Sequence, residues 1–399
     1  MKEQLQALAQ WAKNDLENNL LPWWEQHTID EEQGGFYGAV DKHNQPIKDA
    51  PRFVVLNARL IWTYAAAYAT TKNPVHQQMA KRAFEYVRDY FYDAENGGFF
   101  TWLHADGSVK DSHKFTYGNA FAIYGLAEYA RVFDSAEAKD MAIQTARLLD
   151  THMWDSHHGG YFETATAYWA YTPFVTYLHP DTTIQKTMNT HLHMLEAYTH
   201  LLRIHEAPWL RSRVRELLYT VIHRVLNPTN HHMYLFQARD WTPVVQDFTV
   251  GHDIESSWLL WETAAVLGEK EALEDTRKIA VNMARAALED GVSAEGGMHT
   301  EWHVHEKAFS PNFSWWEQCE AVVGFLNAYE MTGEEKFLTA AMGAKGFIDK
   351  YFIDRKRGGW YAWVGDDGAP MDWVKADGYT CPYHNVRMSV EVLRRVGGM

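Results

Sequence analysis

Residues 30–37 read DEEQGGFY, and the same polar turn, ending in two glycines and then aromatics, returns as DAENGGFF at 93–100 and DSHHGGYF at 155–162. A copy without the glycine pair lies at 227–236, and further versions lie at 294–302 and 354–363. The spacing is about 60–70 residues, longer than a standard solenoid repeat. Six such turns account for the whole chain.

Between consecutive turns the apolar residues recur with helical period twice. The predicted pairs are 59–68 with 79–91, 119–133 with 137–154, 189–204 with 210–226, 253–267 with 272–288, and 314–331 with 336–352. The last pair is 385–396 with the N-terminal 2–20, which closes a ring. In most pairs the first helix is rich in Ala, Trp and Tyr and poor in charge, as a buried inner helix is. The second usually carries charged residues at helical spacing, as an outer helix does. No linker or low-complexity stretch interrupts residues 1–399. The expected fold is all-α: a single domain forming an (α/α)6 barrel of twelve helices, with short β-hairpins at the GG turns between helix pairs. An open solenoid uses the same pairs, but it leaves the N-terminal helix without a partner.

Composition limits the function. Apolar residues make up 46% of the chain and charged residues 22%, enough to bury a large core. A net charge of −15, spread without long like-charge runs, argues against nucleic acid or anionic membrane as partners. Two cysteines cannot form a disulfide framework. The N-terminal segment lacks the apolar region of a signal peptide, and no apolar run is long enough to span a bilayer. A cytoplasmic protein, monomeric or homodimeric, is expected. The 17 Trp and 21 Tyr suit either core packing or the apolar faces of sugars.

Polar residues at the start of each inner helix should gather at one end of a barrel. They are Arg59; Tyr117 and Asn119; Asn189 and His193; His252 and Glu255; Trp316, Gln318 and Glu320; and His384 with Asn385. One buried histidine is more often a satisfied core residue than a catalyst. Three at equivalent repeat positions, with an arginine and carboxylates, are harder to explain by packing. Asn189 and His193 are four apart and share a helix face, from which His191 points away. His252 and Glu255 are three apart, so the carboxylate is expected to orient the imidazole. His303 and His305 alternate in a predicted strand without an apparent third ligand, and no metal site is expected. His157–His158 and His231–His232 fall in turns and are expected to be solvated. P-loop, dinucleotide-binding and nucleophile-elbow motifs are absent.

Five stretches together carry a resemblance: NARLIWTYAAAY from Asn57, NTHLHMLEAY from Asn189, GHDIESSWLL from Gly251, VVGFLNAY from Val322 and PYHN from Pro382. The chain resembles the N-acylglucosamine 2-epimerase superfamily over nearly its full length, most closely the cellobiose 2-epimerase branch. That resemblance implies an (α/α)6 barrel that inverts C2 of a reducing-end sugar through a cis-enediolate, without a cofactor. It makes His252 and His384 the acid/base pair and His193 a supporting histidine. It makes Arg59 a group that steadies the enediolate, and Tyr117, Asn189, Glu255 and Trp316 substrate-contacting or orienting residues. Asn119, at the same end of the barrel, joins the candidate substrate-binding set. Two bases suit inversion, which needs proton removal and return on opposite faces. Return at C1 instead would give the ketose.

The chain departs from the branch in two places. Tyr379 stands where many cellobiose epimerases have a tryptophan five residues before the last catalytic histidine, and it is a further candidate sugar contact. Glu317 replaces a usual proline. These changes favour a monosaccharide such as mannose or glucose, whereas the length of the 235–252 segment matches the disaccharide enzymes. A glycoside hydrolase using two of Glu255, Glu320 and Asp377 is a rival on the same barrel, and a non-catalytic carbohydrate-binding protein is another.

Overall fold

The computed structural model describes residues 1–173 and 183–397. Helix α1 (Lys2–Asp15) runs through a π turn at Leu16–Leu20 into α2 (Leu21–His27), making one long rod. Five helix pairs follow: α3 (Val54–Thr71) with α4 (Pro74–Tyr86), α5 (Thr116–Phe133) with α6 (Ala136–His152), α7 (Met188–Leu202) with α8 (Pro208–Thr220), α9 (Val250–Leu267) with α10 (Lys270–Gly291), and α11 (Trp315–Thr332) with α12 (Glu335–Phe347). The last helix is α13 (Tyr383–Gly397).

The odd-numbered helices from α3 to α13 form the inner ring. Every residue of α3 from Val54 to Ala67 is buried, because its neighbours cover all sides. The outer helices bury one stripe only; on α4 this is His76, Ala80, Ala83, Phe84 and Tyr86. Helix α13 packs against both α3 and α11, and α1 lies over α13. The ring is therefore closed, and the chain forms an (α/α)6 barrel.

The GG turns fix where each inner helix begins. In four of them the leading aspartate accepts N–H groups of its own turn and binds a buried cation. The pairs are Asp30 with Arg52 (2.6 Å), Asp93 with Lys114 (2.7 Å), Asp155 with Lys186 (3.1 Å) and Asp354 with Lys375 (2.6 Å). Arg52, Lys114 and Lys186 lie just before α3, α5 and α7, so each pair ties a turn to the start of an inner helix. Glycine is required in these turns. Gly35 has φ +62°, and a Cβ there would stand 2.6 Å from the ring of Tyr86. In the copy without glycine, His231 takes the left-handed conformation instead, with φ 63°.

Short antiparallel hairpins follow three of the turns, pairing Trp102–Leu103 with Val109–Asp111, Thr164–Ala165 with Tyr171–Thr172, and Glu301–His303 with Ala308–Phe309. Each turn is closed by a single antiparallel bridge, such as Ile29 with Phe36 or Tyr92 with Phe99. Further pairings join neighbouring repeats: Arg52–Phe53 with Trp102–Leu103, Lys114–Phe115 with Thr164–Ala165, Lys186–Thr187 with Phe236–Gln237, Phe248–Thr249 with Glu301–His303, and Asn312–Ser314 with Trp363–Gly365. A strand leading into an inner helix is thus anchored by the following repeat, at the end of the barrel where the candidate residues sit. Among the described residues, no helix is long and apolar enough to cross a membrane.

Candidate active site

A cleft of about 310 Å³ opens at the N-terminal ends of the inner helices. Its wall includes Arg59, Tyr117, Asn189, His193, His252, Glu255, Trp316, Tyr379 and His384. Nine of the ten residues given catalytic or substrate-binding roles from the sequence therefore meet in one place. The sixth residue of α3, α7, α9 and α11 is Arg59, His193, Glu255 and Glu320 respectively, and Arg387, the fifth residue of α13, meets Glu255 and Glu320. Side chains at one helical register on a closed ring converge on its axis.

Asn119 is the exception and does not line the cleft. Its Oδ1 accepts the Phe99 N–H (2.9 Å) and its amide donates to the Phe115 carbonyl (2.9 Å). Gln318 clamps Met298 in the same way (2.7 Å to its N–H), and His191 Nε2 accepts the Tyr161 N–H (2.8 Å). This fourth helix position staples the preceding GG turn to the helix, so Asn119 has an architectural task. Asn385 is buried outside the cleft as well.

Each histidine is oriented by a specific partner. The Nδ1 of His384 lies 2.7 Å from Glu320, whose other oxygen accepts the Trp258 indole N–H at 3.0 Å. The Nδ1 of His193 lies 2.8 Å from Glu196. A carboxylate at Nδ1 holds the proton there and leaves Nε2 as the lone-pair nitrogen. The expected pairing of His252 with Glu255 is not formed. Thr249 Oγ1 sits 2.6 Å from His252 Nδ1 instead, and a hydroxyl donates or accepts, so either tautomer is supported. Trp316 stands between the two candidate bases, its ring 4.6 Å from His252 and 5.4 Å from His384.

Beneath the cleft lies a network that the sequence reading missed. The fully buried guanidinium of Arg387 binds Glu196, Glu255 and Glu320, the last at 2.7 Å, and Tyr383 donates to Glu196. One cation thus holds the carboxylates behind both His193 and His384. The i, i+3 spacing of His193–Glu196 and His384–Arg387 was the available signal; that three carboxylates share Arg387 is a fact of the ring. Glu255 is pushed up to about 8 by burial and by the Glu320 carboxylate. Its Oε2 is buried without a partner. Asn189 Oδ1 is also buried without a partner. Arg59 donates to the Tyr117 hydroxyl (2.9 Å) and lies 4.1 Å over the Phe121 ring.

Burial, followed by the positive charge His193 and His384 can carry, pulls the His252 imidazole down to about 3. Burial and the Arg59 and Arg387 cations hold His384 well below its ordinary value, and burial lowers His193. All three are neutral at pH 7, the state a base requires. The same shifts carry a stability consequence. A group whose folded pKa is depressed contributes stability above its unfolded value, which is lost as pH falls toward the folded value. The histidines' own contribution to the urea midpoint is therefore a decline as pH drops below about 6.5, opposite in sign to that of buried acids held high, such as Glu255. His252→Asn should flatten the upper part of that decline; an identical pH profile in this variant would refute the assignment.

Among the described residues, two groups have the closeness of metal ligands: Glu255, Glu320 and His384, and Asp247, Glu301 and His303. In the first, Arg387 already provides the cation for both carboxylates. In the second, Asp247 and Glu301 join His303 on the rim, whereas His305 is exposed in the adjacent turn. His232 departs from its expected solvation. It is buried, with Nδ1 2.7 Å from Asp253 and Nε2 3.1 Å from Asp290, and stacks on Phe248. His157 and His158 are exposed.

The cellobiose 2-epimerase of Bacteroides fragilis is 35% identical over 97% of this chain and 99% of its own. The structure of cellobiose 2-epimerase from Bacillus thermoamylovorans superposes with a TM-score of 0.94 at 32% identity, covering 98% of this chain and all of that one. A D-mannose isomerase of Marinomonas mediterranea is 22% identical over 91% of each chain. Residues 35–387 match the model of the N-acylglucosamine 2-epimerase (GlcNAc 2-epimerase) family, and the chain belongs to that family.

Proposed function

We propose that this chain is a cofactor-independent epimerase that inverts C2 of a reducing-end sugar, as a cellobiose 2-epimerase does. The observation that carries the proposal is the pair of buried, neutral histidines, His252 and His384, on either side of Trp316 at the cleft floor. In the open-chain aldose, Nε2 of one histidine removes the C2 proton. The electrons move to the C1 carbonyl oxygen and give a cis-enediolate. Arg59 and a protonated Glu255 face the developing charge, where fixed donors stabilise it best in a water-poor site, while the Nε2 lone pair of His193 accepts from a sugar hydroxyl. The enediolate raises the proton affinity of the second histidine, which takes a proton from cleft water and returns it to C2 on the other face. The first histidine then releases its proton to solvent.

Trp363, Trp373 and Tyr379 form the outer wall of the cleft. Trp373 and Tyr379 are each about half exposed, and their faces offer apolar ground for a second sugar ring. A glucose- or mannose-acting epimerase, or a mannose–fructose isomerase, is the second reading. It is favoured by Tyr379, a smaller ring already packed edge-on against Phe53 (5.1 Å). The hydrolase reading loses ground: Glu320 lies behind His384 outside the cleft, and an Asp377 carboxylate oxygen accepts the N–H groups of Tyr379 and Thr380. One closed ring supports a single catalytic domain, and we place the enzyme in the cytoplasm as a monomer or homodimer.

Incubating cellobiose, glucose and mannose separately with the enzyme in D2O and following them by NMR tests the proposal. Expected are deuterium at C2 together with the C2 epimer, fastest with cellobiose. Free glucose from cellobiose without any epimer, or no C2 deuterium in any of the sugars, would overturn it.

A further inference from the structure

The inner helices enclose a second cavity beyond the Arg387 network, toward their C-terminal ends. It measures about 450 Å³, larger than the catalytic cleft. Its inner end is aromatic. Trp62, Tyr124 and Trp258 each lie three residues after a ring position, one helical turn farther along the axis. Trp62 and Tyr124 stack at 5.5 Å with planes 9° apart. Trp62 is 6% exposed, and its indole N–H is buried without an acceptor.

Farther out, the wall is built of fixed ion pairs. Glu128 is held by two bonds from Arg131 (2.8 and 2.7 Å) and one with His200 (2.8 Å). Arg203 binds Glu262 at 2.7 Å, and Arg394 binds Glu391 at 2.5 Å. Three guanidiniums are thus paired with three carboxylates, presenting donors and acceptors side by side. A polyanion would meet Glu128, Glu262 and Glu391. Hydroxyl groups donate and accept at once, and an aromatic platform suits the C–H face of a sugar. Arg387 borders this cavity as well, while its guanidinium holds the carboxylates behind His193 and His384.

We propose that this distal cavity is a binding site for a neutral polyhydroxylated ligand, a sugar or polyol, and that its occupancy is felt at the catalytic histidines through Arg387. The site is argued from its own lining and does not depend on the C2-epimerase reading.

Ala69→Trp fills the cavity from the last turn of α3, and Thr70→Tyr does so from the exposed rim; neither residue belongs to the catalytic cleft. Methyl β-glucoside and mannitol are suitable probes, because neither has a free aldehyde to be turned over. Calorimetric stoichiometry should show one more probe site per chain in the wild type than in a folded blocking variant. In the wild type a probe should change kcat, whereas in the blocked chain it should act on KM alone. Equal stoichiometry and equal inhibition patterns in the wild type and either folded variant would overturn the proposal, as would a probe confined to the catalytic cleft in a soaked crystal. If no sugar is turned over at all, the stoichiometry still decides the distal site separately from the catalytic reading.

Discussion

Alanine at His384 or at His252 is expected to lower kcat for epimerisation by roughly 10²–10⁴-fold, the span of a lost general acid or base. The fold should persist, because the histidine partners Thr249 and Glu320 keep other support: Thr249 lies in a paired strand, and Glu320 retains Arg387 and Trp258. The two variants should fail differently. A single remaining base still reaches the C2 proton of one epimer, so that epimer should exchange with D2O without inverting, and the opposite epimer should be the reactive one in the other variant. NMR of each pure epimer in D2O measures this. Normal inversion in either variant would falsify the two-base assignment.

Arg387→Met should have the largest effect on stability. Removing one partner of a buried ion pair leaves an uncompensated charge and costs roughly 3–5 kcal/mol. Here three carboxylates, Glu196, Glu255 and Glu320, lose their shared cation. Glu255 is already raised to about 8 by burial and Glu320, so the penalty should fall mainly on Glu196 and Glu320. Without Arg387, which now lowers it, the buried Glu196 carboxyl would have a folded pKa above its unfolded one. Its neutral form favours the fold at low pH, and that contribution is lost as pH rises. The variant should therefore lose less stability relative to the wild type near pH 5 than near pH 8. Urea denaturation at both pH values checks the sign. A midpoint unchanged from the wild type would mean that the network does not hold the barrel axis together.

The architecture was legible in local sequence because each of its causes is local. A GG turn needs φ > 0 within a few residues, and an inner helix declares itself by losing its charged face. The six-fold repetition then leaves few ways to pack the pairs. Helix starts were read several residues late: α3 begins at Val54 and α5 at Thr116, since extended residues tied by buried Arg52 and Lys114 lead directly into them. The candidate residues were legible for the same reason, as equivalent registers on equivalent helices must meet at the axis.

What the sequence by itself determined is the ring, the end of it that carries chemistry, and most of the side chains gathered there. Tertiary structure alone decided which of those side chains touch. Asn119 staples a turn, Thr249 displaces Glu255 as the partner of His252, and Arg387 joins carboxylates from α7, α9 and α11. Helical spacing predicts which residues share a face. It does not predict contacts across the axis, because those depend on the ring's radius and on which neighbour reaches a carboxylate first.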